Sequence, residues 1–273
     1  MVSLSIGIRL CAPYVKRAAF SEQATQFFDR LTTQPSDDDK ARYAALIDNL
    51  VAAQIFERGD LLHIYAAPST NAARTNLLRD TTIALSVNSP TFTAYRGYQG
   101  NGSSSYIRTQ FNLASDSLVY AQNAASVGIW SLTNRAANSK AAYGASDGAT
   151  KNTHAYLLYP TSDIYARLNG PEGAGIVNTS GRSDGFFLSN RSGSTERQLY
   201  RNGVSMGAYP ASASAALLSQ GMYVSANNIN GTASGHSSDE IAAFWLGTSL
   251  DATEQADLYA ILSGYLTSAG AIT

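Results

Sequence analysis

From residue 81 to about 249 the chain is a succession of short apolar or alternating runs, each closed by Gly, Asn, Ser or Pro. "TFTAYR", "SSYIRTQF", "SVGIWSL", "THAYLLY", "DIYARLNG", "DGFFLSNR", "RQLYR", "VSMG", "GMYVSANN" and "EIAAFWLG" all read as strands, because apolar residues at every second position line one face of a pleated segment. Helical periodicity and βα alternation are both absent from this stretch. The sharpest local signal is "ERQLYRNGVSMG", where Asn202-Gly203 lies between two alternating runs. Asn and Gly tolerate the positive φ angles of a type I′ turn, so a tight hairpin is expected there. Many short strands joined in this way must bury their apolar faces against one another. The expected fold is therefore mainly β, with two antiparallel sheets packed as a sandwich or jelly roll.

The flanks follow a different grammar. Residues 1–18 read as an irregular or strand-like N-terminal arm in which "SLSIGI" alternates and Pro13 opposes a helix. Two helices are expected within residues 19–80. Ser21 caps the first, whose stripe is Ala24, Phe27, Phe28 and Leu31. Ser36 and Asp39 cap the second, whose stripe is Tyr43, Leu46, Ile47 and Leu50, with Gly59 available to end it. Asp37 and Asp38 fall at the favourable end of the helix dipole, which accounts for the acidic run without a metal. A last short helix starts at the Asp251/Glu254 capping box and buries Leu258, Ile261, Leu262 and Tyr265. The expected organisation is an arm over 1–18, a helical attachment segment over 19–80, and the β domain with its C-terminal helix over 81–273.

Charge removes several function classes. Only 14% of the 273 residues are charged, and the formal net charge is −1. Residues 81–238 carry ten bases against six acids, but the arginines are scattered singly, which is no nucleic-acid footprint. One cysteine, Cys11, rules out an internal disulfide framework and a cysteine-rich zinc site, and is expected to be a small buried hydrophobe. No apolar run is long enough to span a bilayer. The N-terminus, with an arginine inside its apolar run, makes a poor signal peptide.

Three segments carry a family resemblance. "GYQGNGSSSYIRT" resembles an early strand of the laminin-G-like, concanavalin A-like lectin/glucanase jelly roll; "RQLYRNGVSMG" is similar to its central hairpin; and "GMYVSANNINGTASGHSSDEIAAFWLGTSLDATEQADLY" resembles its closing strands and short helix. Over nearly its full length the chain is further similar to tailed-phage and prophage virion proteins, of the tail or fibre, that place a small helical segment before such a domain. That resemblance implies a virion protein made in the host cytoplasm, contacts with other virion subunits, a host glycan as ligand, and homo-oligomers, trimers being the common form of fibres. A purely structural or decoration role is its alternative, and a glycan hydrolase a minor one.

Glycosidases of this broad fold are expected to show a strand of the form Glu-x-Asp-x-x-Glu, which sets the acids on one sheet face. No such strand occurs here; adjacent Asp239 and Glu240 would point to opposite faces. His63, His154 and His236 carry no ligand spacing. The expectation is a non-enzyme that binds sugar through aromatic faces and fixed polar groups. Trp130, Asn134, Arg135, Tyr143, Arg182, Asp184, Asn190 and Arg191, near expected strand ends, are its candidate residues. Trp130 can equally be core, and Arg182 and Asp184 can pair across a loop. Calcium is the one cofactor the loops could hold, through Asp147 in "ASDGATKN" and Glu172 in "NGPEGAG", both of which are also ordinary turn sequences.

Overall fold

The computed structural model describes residues 19–81, 83–135, 140–159, 163–171, 176–179, 181–208 and 211–273. The arm expected over 1–18, Cys11 and Glu172 lie outside these residues.

Two helices open the described chain, α1 (Glu22–Asp29) and α2 (Asp37–Ala52), capped by the side chains of Ser21 and Ser36 as their sequences require. The second stops well before Gly59. Gln54 takes a positive φ of 59° and the Ile55 N–H bonds back to the Leu50 carbonyl, so the chain turns off the helix there. Then come β1 (Gly59–Ile64), a short α3 (Thr70–Arg74), β2 (Leu85–Val87), β3 (Thr91–Thr93), β4 (Gly97–Gln99), β5 (Tyr106–Asn112), β6 (Ala125–Ser131), β7 (Ala141–Ser146), β8 (Asn152–Tyr156) and β9 (Asp163–Gly170). The remaining elements are β10 (Ile176–Thr179), β11 (Gly185–Arg191), β12 (Arg197–Arg201), β13 (Val204–Ala208), β14 (Gly221–Val224), β15 (Asn227–Ile229), β16 (Thr232–Ser234), β17 (Glu240–Gly247) and α4 (Ala252–Ser268).

The strands form a mainly antiparallel two-sheet sandwich of jelly-roll type. One sheet runs β13, β12, β11, β6, β17, β4, β3, with β1 beside β4 along the free edge of β17. The other runs β10, β9, β8, β7, β14, β5, β2 and carries the β15–β16 hairpin on the end of β7. β1 pairs from Gly59 to Ile64 with β17, so the sheet extends upstream of residue 81 into the stretch read from sequence as helical. All six of its residues are buried although β17 is its one strand partner, because its other edge is covered by the chain at Asn76 and Leu77: Leu62 N–H donates to Asn76 Oδ1 and Leu77 N–H to the Leu62 carbonyl.

Register explains the core. Ile129 pairs with Phe244, whose ring meets Tyr143 of the opposite sheet at 5.8 Å. Ile129 therefore faces inward, and its neighbour Trp130 must face out. There α4 covers it: Tyr259 stacks on the Trp130 indole at 5.5 Å and 10°. The α2 and α4 faces meet through Tyr43 and Tyr265, and the helices share one continuous apolar cluster with both sheets. The Asn202-Gly203 turn has φ of 51° and 74°, as type I′ demands, and it also rests on α4.

A tyrosine-lined cleft as the candidate functional site

The outer face of the nine-stranded sheet bears a cleft of about 440 Å³. Its floor and one wall come from alternation along β7, β8 and β9. Tyr143 pairs with Ala155 and Ala155 with Ala166, and these residues turn into the sandwich. The intervening rows, Gly144–His154–Arg167 and Tyr156–Tyr165, turn outward. Tyr159, just beyond β8, closes a group of three rings: it lies 5.5 Å from Tyr156 and 5.4 Å from Tyr165, and those two are 6.3 Å apart. Tyr159 is 39% exposed at the rim, while Tyr156 and Tyr165 are half-buried.

Below the rings the site becomes polar. The Arg167 guanidinium sits 4.8 Å from the Tyr165 ring centroid, a cation–π distance, and bonds the Tyr165 hydroxyl. It also approaches His154 Nε2 at 3.4 Å, while Asn227 Nδ2 lies 3.4 Å from His154 Nδ1. Burial, and then the neighbouring Arg167 charge, push the His154 imidazole down to about 3, so the ring is neutral at physiological pH. The second wall is the β15–β16 hairpin, through Asn227, Ile229 and Ser234. Gly144 makes that wall possible: a Cβ there would lie 2.3 Å from Asn227 Oδ1 and 2.8 Å from the His154 Cβ. The described lining contains no carboxylate. What it offers is an aromatic mouth over amide, imidazole and guanidinium groups.

The candidates named from sequence fall elsewhere. Tyr143 is 1% exposed, its ring between the sheets and its hydroxyl 3.3 Å from Ser189 Oγ, so it packs the core directly behind the cleft. Trp130 is covered by α4, so its indole is packing and not an open platform. Asn190 is buried and exchanges two hydrogen bonds with the Leu250 backbone, Nδ2 donating at 3.0 Å and Oδ1 accepting at 2.9 Å. Arg191 is fully buried and donates to the carbonyls of Leu168, Gly193, Ser194 and Ser212, a clip on two loops.

Four candidates do come together, at one end of the eight-stranded sheet. Asn134 Oδ1 accepts from the Ser183 N–H at 3.2 Å, and Arg135 N–H donates to Ser183 Oγ at 3.0 Å. Arg182 grips Asp184 through two hydrogen bonds, of 2.8 and 2.5 Å, holding its carboxyl below the usual range. Arg135 forms a buried ion pair with Asp239. Burial still raises the Asp239 carboxyl to about 6 against the pull of that arginine. These groups are largely spent on each other, binding the loop after β6 to the segment before β11. Asp147 likewise closes the β7–β8 turn: Oδ1 accepts from Ala149 N–H and Lys151 N–H, and Oδ2 from the Thr150 hydroxyl. Among the described residues no three His, Cys, Asp or Glu side chains are grouped to hold a metal ion.

Sequence reasoning missed the three rings and Arg167. A usable signal existed for two of the rings: Tyr156 in "HAYLLY" shares the parity of His154 and Tyr165 in "DIYARL" that of Arg167, so a hairpin pairing would have placed them side by side, whereas Tyr159 is of the other parity and lies beyond the strand.

No family model matches the sequence, and no curated protein matches it. Among solved structures the chain is similar to the binding domain of botulinum neurotoxin DC in complex with rat synaptotagmin II, at 10% identity and a TM-score of 0.53, covering 76% of this chain and 52% of that one. The botulinum neurotoxin serotype D binding domain gives the same identity, TM-score and coverages. Domain 4 of AbnA, a GH43 extracellular arabinanase from Geobacillus stearothermophilus, in complex with arabinotriose, is a looser match, with 11% identity, a TM-score of 0.44, and coverage of 74% of this chain and 98% of that chain. The chain spans about half the length of the neurotoxin binding domains it matches. At these identities the likeness is one of fold.

Proposed function

We propose that the tyrosine-lined cleft binds carbohydrate without hydrolysing it, and that the chain serves as a virion-surface or tail-fibre-like protein that recognises glycans on the host surface. The observation carrying the first part is the arrangement of Tyr156, Tyr159 and Tyr165 around one opening, above Asn152, Asn227 and Arg167. Ring faces match the C–H surfaces of a sugar, and the buried polar groups fix its hydroxyls. The absence of a carboxylate from the described lining supports the non-catalytic reading, since hydrolysis calls for a supported acid pair. The virion setting rests on the sequence resemblance. Assembly of several copies would raise a weak single-site affinity through avidity.

The test is an array of host-envelope polysaccharides and lipopolysaccharides probed with the full chain. It is run with and without calcium, because Asp147 lies in the turn whose Gly148 borders the cleft. Binding that falls about tenfold in Tyr159→Ala and again in Tyr165→Ala, with no reducing ends released, supports the proposal. Binding unchanged by both substitutions moves the site elsewhere. No binding at all leaves the structural or decoration role.

A further inference from the structure

On the reading that the cleft binds carbohydrate, its charge pattern narrows the class of sugar. Apart from His154, the ionisable acids and bases in the nine strands of this sheet are Arg108, Asp163 and Arg167. Arg167 lines the cleft, and the described lining holds no acid. Asp163 lies at the outer end of β9, two residues before Tyr165 and outside that lining. Arg167 is only 5% exposed, so its guanidinium is drawn almost wholly out of water, where a charge acts more strongly on a ligand. Its direction is set by the Tyr165 ring and hydroxyl and by His154 Nε2. A phenol and a neutral imidazole orient the cation without cancelling its charge.

The proton inventory of the floor points the same way. Arginine only donates, so His154 Nε2 must accept, and the neutral ring then carries its proton on Nδ1. That N–H faces the Asn227 amide at 3.4 Å and requires its oxygen. Asn227 is 2% exposed, and its Oδ1 otherwise has no hydrogen-bond partner. Turning the amide end for end gives Nδ1–H its acceptor and leaves the Asn227 amino group as a second donor in the cleft lining. The other amide, Asn152, is spent on the Ser146 hydroxyl and the carbonyls of Ala149 and Gly170. A buried guanidinium and a free amide N–H group, with no acid beside them, match a ligand group that only accepts. A carboxylate does so with two oxygens that fit the guanidinium fork.

We propose that the cleft selects a saccharide bearing a carboxylate, with Arg167 and Asn227 taking the acid group and the tyrosine rings taking the sugar face.

The probes are acidic and neutral envelope polysaccharides, presented to the full chain. Each one that binds is tested again after chemical reduction of its carboxylates to primary alcohols, which leaves the rest of the polymer in place. Acid selection predicts that the bound polymers carry carboxylates and that reduction weakens binding at least about tenfold, the loss of one charge-assisted contact. It also predicts that rising ionic strength weakens the native polymer more than the reduced one. Arg167→Gln, with near-UV circular dichroism confirming the fold, should weaken the native polymer about tenfold and the reduced one less than about twofold. The reduction comparison uses the parent protein and decides alone where the variant does not fold. Equal binding of native and reduced polymers, or a bound set without carboxylates, overturns the acid selectivity while the carbohydrate reading stands. An Arg167→Gln effect that is absent, or equal on both polymers, overturns the assignment to Arg167. Binding to none of the polymers overturns the carbohydrate reading and this proposal together.

Discussion

Acid should weaken this fold by an amount the buried histidines set, and His154 makes the effect measurable at the cleft. A histidine in the unfolded chain titrates near 6.5. Burial holds His154 at about 3 and His63 at about 4 in the folded protein. Between those values and 6.5 the unfolded chain takes up protons that the folded chain refuses, so stability is complete above about pH 6.5 and falls as pH drops. The slope is about 1.4 kcal/mol per pH unit for each group, and at pH 5 each histidine costs about 2 kcal/mol. Asp239 acts in the opposite sense. Its carboxyl is raised to about 6 in the fold, so the folded chain gains the proton first and recovers about 1.4 kcal/mol by pH 5. The net expected loss between pH 7.5 and pH 5 is about 2 to 3 kcal/mol. Urea unfolding at the two pH values measures it, and His154→Gln should shrink the loss by about 2 kcal/mol because the amide does not titrate. Identical pH dependence in parent and variant would show that His154 is not held neutral by burial, and the reading of the cleft floor would fall with it.

Three further outcomes follow from the same geometry. Gly203→Val forces a β-branched residue to a φ of 74° and sets its Cβ 3.1 Å from the Ala256 Cα; a loss of about 2 to 3 kcal/mol is expected, read as a Tm lower by roughly 5 to 10 °C. Gly144→Val drives into Asn227 and His154; it should cost about 1 to 3 kcal/mol and weaken glycan binding while the Asn202-Gly203 hairpin keeps its amide shifts. Arg135→Met leaves Asp239 buried without its counter-ion. It should cost about 3 kcal/mol at pH 7.5, less at pH 5 where Asp239 is protonated, and little once Asp239→Leu is added; equal loss at both pH values would remove the ion pair from the account.

The strands legible in the sequence were those whose own side chains announce them. "DIYARLNG", "RQLYR" and "EIAAFWLG" alternate or run apolar, and the structure places β9, β12 and β17 on those spans. β7 has no such signal. Its sequence, "AAYGAS", offers small side chains that a strand adopts only when neighbours impose it, and its role depends on that smallness, because Gly144 must admit Asn227 from the β15 wall. β1 hid for another reason: "GDLLHI" lies next to well-capped helices, and only the long-range pairing with β17 reveals it as sheet. The same division governs the site. Single residues near strand ends, such as Asn190 and Arg191, look like ligand contacts in one dimension but sit where loops must be tied to the sandwich. Tyr156 and Tyr165 look like ordinary strand residues until the β8–β9 register sets them side by side on the solvent face, where Tyr159, in the connection beyond β8, meets both. A surface assembled by cross-strand pairing is therefore read in the parity of neighbouring strands: Tyr156, Tyr165 and Arg167 share the outward face, and the same residues one position along would turn into the core.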